Sequence, residues 1–207
     1  TVSAGTMQLA TGSSLSSSEI AIDGGLLQVN ATALDDAADV DISSGGLELQ
    51  GSETIGSLSG TGGSVSLGAN TLTLSGDGET TSFAGTLSGT GILVKAGTDI
   101  LTLSGDSSSF AGRAAVAGGS LLVNESFGTA ASTIKVTDGG TLGGTGVIGG
   151  SVSVYSGGTL SPGASPGTLK IVGDLTLGSG STSLFELNTP DVSGGETNDF
   201  VSVGGSL

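Results

Sequence analysis

An apolar–any–apolar triplet following a glycine-rich turn recurs along this chain at a spacing near 20 residues. It reads Met7-Gln8-Leu9, Leu27-Gln28-Val29, Leu47-Glu48-Leu49, Leu72-Thr73-Leu74, Leu101-Thr102-Leu103 and Leu121-Leu122-Val123. Looser forms follow at Leu142, Leu160 and Leu175-Thr176-Leu177, and successive members lie 20, 20, 25, 29, 20, 21, 18 and 15 residues apart. A second alternating pair precedes most triplets: Ile20/Ile22, Val40/Ile42, Val65/Leu67, Ala114/Val116, Ile134/Val136 and Val152/Val154. Alternation on both sides of a short glycine turn predicts two half-buried strands joined by a bend. Tight hairpins prefer two-residue Asn-Gly or Asp-Gly loops, and these turns do not keep to them. A chain that coils once per unit, each strand lying parallel on its counterpart one turn below, accounts for both the offset and the period. The predicted fold is therefore all-β: a parallel β-helix, or β-solenoid. At about 4.8 Å per turn, about nine or ten rungs make a rod of about 45 Å.

Composition supports thin stacked layers over a bulky globule. Among 207 residues there are 41 glycines, 35% hydrophobic residues and only 3% aromatics. The core must therefore be built from Leu, Val, Ile and Ala. Two phrases, "TLTLSGDGETTSFAG" (Thr71 to Gly85) and "ILTLSGDSSSFAG" (Ile100 to Gly112), read as consecutive signature strands followed by the same outward loop. Their Phe83 and Phe110 are expected to pack against the core at a corner. The 29-residue interval is expected to hold an enlarged loop or an extra partial rung.

Charge narrows the partners. The net charge is −15 with four Lys and Arg, which cannot neutralise a phosphate track, so no nucleic acid is expected as ligand. Anionic membrane surfaces are disfavoured for the same reason, and no stretch is apolar enough to predict membrane insertion by this fragment. With no cysteine there are neither disulfides nor thiolate metal sites. No signal peptide opens the chain, which starts without Met and reads as a piece of something longer.

Chance motif matches are common in a glycine-rich chain. "GASPG" (Gly163 to Gly167) fits the nucleophile elbow and "GDSSS" (Gly105 to Ser109) a Gly-Asp-Ser lipase block, yet the chain has no histidine to act as base. "GTGVIG" (Gly144 to Gly149) matches the dinucleotide fingerprint without the helix that would hold a pyrophosphate. "ALDDAADVDI" gathers Asp35, Asp36, Asp39 and Asp41. It reads as an exposed acidic loop, with a weak calcium site or a paired-carboxylate site as alternatives. The basic partners a carbohydrate-cleaving groove would use, Lys95, Arg113, Lys135 and Lys170, all lie far along the chain. Thr71 and Thr73 suggest an ice-binding ladder that the outward positions Gln8, Gln28, Glu48 and Leu122 do not continue. No catalytic, cofactor-binding or metal residue is predicted, and the chain is not expected to be an enzyme.

Four stretches carry a family likeness. "GGLELQGSETIGSLSGTGGSVSLGANTLTLSGD" (Gly45 to Asp77) and "GTGILVKAGTDILTLSGDSSSFAG" resemble the passenger-associated transport repeats of autotransporters, the type V secretion proteins. "GGTLGGTGVIGGSVSVYSGGTLSPGASPGTLKIVGDLTLGSGSTSLFELN" resembles the C-terminal autochaperone segment of their passenger domains, and "TNDFVSVGG" (Thr197 to Gly205) resembles one of that family's rungs. The resemblance implies a right-handed parallel β-helix, with passenger repeats over residues 1–138 and autochaperone-like rungs over 139–207. It also implies export across the outer membrane of a Gram-negative bacterium to the cell surface or medium, and a C-terminal β-barrel translocator in the full-length protein. The three prolines, Pro162, Pro166 and Pro190, and the bulky Phe185 and Phe200 all fall in 139–207. They suggest a stable terminal nucleus that folds first. The expected function is an adhesin or self-association module that contacts host surface, extracellular matrix or neighbouring bacterial cells. An inert stalk presenting an N-terminal effector is the alternative, followed by a carbohydrate-active enzyme.

Overall fold

The computed structural model of the chain describes residues 1–163, 166–193 and 197–207. It is a β-solenoid of about nine turns, with no helix among the described residues. Among the described residues the strands pair in parallel, with isolated antiparallel bridges only at Gly144–Gly163 and Leu187–Asn198. This follows from the coiling: the chain revisits each face in the same direction once per turn, while alternation turns the apolar side chains inward to meet those of the other faces.

Each turn has three faces, one more than the triplet and its upstream pair predict. Face one stacks the first halves of Glu19–Val29 and Asp39–Leu49, then Ser57–Ser59. A bridge from Gly60 to Phe83 carries it on to Thr80–Phe83, Ile100–Leu103, Gly119–Val123, Gly140–Gly144, Thr159–Pro162 and Thr182–Ser183. Face two stacks Thr6–Leu9, the second halves of the same two long strands, Ser64–Ser66 and Thr86–Ser88. Past Ser107 it continues through Ser126–Phe127, Val147–Ile148, Thr168–Ile171 and Phe200–Val203. Face three runs from Glu53–Ile55 through Thr71–Leu74, Ile92–Lys95, Arg113–Val116, Thr133–Val136 and Ser151–Val154 to Leu175–Leu177.

This arrangement corrects the predicted register. The triplets at Leu47, Leu72 and Leu101 do not form one column. Leu47 stacks on Val65 in face two, Leu72 on Leu93 in face three, and Leu101 on Leu121 in face one. The two near-identical phrases therefore occupy different faces. The 29-residue interval between their triplets holds three further strands, Thr80–Phe83, Thr86–Ser88 and Ile92–Lys95, a whole turn, so the expected outward loop of the first phrase is itself a strand.

The core is a set of aliphatic columns, such as Leu101–Leu121–Leu142–Leu160 in face one. Phe83, Phe110 and Phe127 are completely buried, as expected of the first two. The rings of Phe110 and Phe127 lie 5.2 Å apart, tilted by 33°, a pairing that adds about 1 kcal/mol to their area burial.

Candidate functional site

The corner between faces three and one carries the densest charge. Parallel register aligns Glu19, Asp39 and Ser57 on successive turns, and beside them Asp41 faces Ser59. Stacked carboxylates one turn apart repel. Two serines relieve this: Ser57 Oγ donates to Asp39 Oδ1 at 2.7 Å and Ser59 Oγ to Asp41 Oδ2 at 2.8 Å. Asp35, Asp36 and Asp39 line a concavity of about 440 Å³ together with Ser75, Asp77 and Glu79. Asp41 turns into an adjoining hollow with Glu19 and Ser59.

The sequence reading placed Asp35, Asp36, Asp39 and Asp41 in one loop and missed Asp77 and Glu79. Counting two turns of about 20 residues onward from Asp36 leads to Asp77, the signal that could have found it. Among the described residues no group of three acidic side chains is close enough to hold a metal ion. No cation faces the groove either. Lys95 is buried against Asp99, Arg113 and Lys135 project from face three, and Lys170 from face two. The groove can attract cations and basic groups. It has no ammonium or guanidinium to hold a sugar acid or stabilise a developing oxyanion.

The motif residues are structural. Ser107 of the Gly-Asp-Ser block is 1% exposed, and its hydroxyl accepts the Leu87 N–H at 2.9 Å, bridging a break in face two. Asp106 beside it accepts the Ser108 N–H at 2.9 Å, and that bond holds its carboxyl below the usual range. "GTGVIG" forms a corner and the strand Val147–Ile148, with no helix behind it. In "GASPG", Ala164 and Ser165 lie outside the described residues. Thr73 has Val94 on the next turn, so no threonine ladder forms.

One buried acid escaped the sequence reading. Glu53 is 2% exposed, in the inward column beside Leu72. Its carboxylate accepts the N–H of Ala33 at 2.8 Å and of Thr54 at 3.3 Å. Burial nevertheless dominates and pushes its pKa above the ordinary carboxylate value. A raised folded value means the stabilising contribution is complete below the ordinary carboxylate range and is lost as pH rises through the folded value. Thermal melts should therefore show stability rising as the pH is lowered from 7 toward 4.5. Glu53→Gln, which keeps an acceptor for Ala33, should flatten that rise; an unchanged slope would assign it to general charge repulsion alone.

No family model matches the chain. A stretch of 87 residues is 39% identical to the adhesin BmaC autotransporter of Brucella suis biovar 1. The match covers 41% of this chain and 2% of that much longer protein.

Proposed function

We propose that this chain is a stretch of an exported autotransporter passenger that works as an adhesive rod at the surface of a Gram-negative cell. The 87-residue similarity to an autotransporter adhesin carries the reading, and the solenoid is compatible with it. The contact groups are small polar side chains that repeat turn after turn. Face one offers Ser82, Thr102, Ser120, Thr141, Thr159 and Ser161, and face three Thr71, Thr73, Thr133 and Ser153. Each contributes little. Many copies displayed side by side convert weak contacts into attachment to host surface, matrix or neighbouring cells. The net charge of −15 opposes the alignment of two such rods until salt screens it.

Beads coated densely with the purified chain provide the test. Coated beads should retain on matrix-coated or cell-coated surfaces, or cluster with one another, and clustering should increase between low and physiological salt. Beads inert on matrix, on host cells, on bacteria and toward each other at every salt concentration would leave a passive stalk as the better reading.

A further inference from the structure

Lys95 is the core residue that its surroundings least explain. It ends the face-three strand in the inward column, where Leu74 stands on one neighbouring turn and Val116 on the other, and its side chain is completely buried. The ammonium donates to Gly97 O at 2.9 Å and Gly118 O at 3.4 Å, and meets Asp99 Oδ1. Asp99 is 1% exposed and, beyond this ion pair, has no hydrogen-bond donor on either carboxylate oxygen. A Cβ on Gly119 would stand 2.2 Å from Asp99 O and 2.9 Å from Nζ, so no side chain fits beside the ammonium there. A buried ion pair whose carboxylate lacks other partners recovers little of its desolvation cost. A neutral link between the same atoms would remove that cost.

We propose that Lys95 and Asp99 condense to an amide, so that the folded rod carries an intramolecular crosslink across this corner. The step begins with one proton passing from the ammonium to the carboxylate, which leaves an amine beside a carboxylic acid. The nitrogen lone pair attacks Asp99 Cγ and the Nζ–Cγ bond forms. A second nitrogen proton passes to the departing hydroxyl, and the Cγ–O bond breaks with water as the leaving group. No oxidant or other reactant is consumed. Gly97 O accepts the one N–H that remains, and exclusion of water opposes hydrolysis.

Mass spectrometry of the folded, purified chain tests this directly. The intact chain should be lighter by one water than its sequence. Glu-specific cleavage should place that loss in the 80–125 peptide, and trypsin should fail to cut the denatured chain after Lys95. Asp99→Asn should close with loss of ammonia instead, and Asp99→Ala should show its full calculated mass. A full-length mass with tryptic cleavage after Lys95 would overturn the proposal. So would a lost water mapped to an Asp-Gly step elsewhere, such as Asp138-Gly139.

Discussion

Gly60→Ala should be among the most damaging single substitutions in the rod, at about 4 kcal/mol or more. Gly60 has φ near +140°, a conformation that alanine does not adopt without strain. It also lies directly on the turn below, and an added Cβ would fall 2.0 Å from Ile42 O and 2.7 Å from Ile42 N. Neither contact can relax by rotating a side chain, since both neighbours are backbone. The position matters because Gly60 hands face one from Ser57–Ser59 to Thr80–Phe83. Its N–H donates to Ser82 O at 3.0 Å, and its carbonyl accepts the Ala84 N–H at 2.9 Å. In a chain of this size the loss corresponds to a fall in Tm of about 8–16 °C. Solenoids unfold by neighbouring units, so amide exchange should show the turns around Ile42 and Phe83 losing protection first. Gly78→Ala is the control. It too has positive φ, +82°, but nothing lies within 4 Å of its added Cβ, so only the backbone strain of about 1 kcal/mol should appear. Equal losses at the two sites would show that close stacking at Gly60 is not what makes it sensitive.

The comparison of Gly76 with Gly105 shows how far the sequence could be read. Both close the phrase Leu-Thr-Leu-Ser-Gly, and both sit where an added Cβ would meet a carbonyl of the turn below, Gly56 O at 2.8 Å and Gly85 O at 2.2 Å. The shared wording reports a shared local task, a strand running into a tight corner. It does not report which corner, and one belongs to face three and the other to face one. Period and parallel stacking were therefore legible, while the column assignment was not. The third face was hidden because parts of face two are two residues long, Ser126–Phe127 and Val147–Ile148, too short to show alternation. Lys95 and Glu53 were hidden for another reason: alternation rules send charged residues outward, and only the turns above and below reveal that these two point in. The acidic groove was half legible, since Asp35, Asp36 and Asp39 are local, whereas Asp77 and Glu79 arrive only by coiling.

Asn198→Ala should release the C-terminal covering of the rod at a cost of about 3 kcal/mol. Asn198 is 3% exposed and uses its whole amide. Oδ1 accepts the N–H groups of Asn188 at 2.6 Å and Thr189 at 2.9 Å, and Nδ2 donates to Thr189 O at 2.6 Å and Val192 O at 2.7 Å. No apolar contact compensates, because Leu187 is 73% exposed and Val192 47%. The neighbouring Asp199 continues the clasp, accepting Gly167 N–H and Glu186 N–H, each at 2.8 Å. Without Asn198, amides near 186–192 should exchange rapidly while those of Leu101 or Leu121 stay protected. Asn198→Asp, which would set a buried carboxylate oxygen against the Thr189 and Val192 carbonyls in place of Nδ2, should cost at least as much. Kinetics then decide the role of this region. If residues 139–207 form the nucleus, the variant should refold about a hundredfold more slowly, taking up most of its stability loss, while unfolding changes little. If only unfolding accelerates, the clasp closes after the rod has formed, and the C-terminal turns cover the stack without starting it.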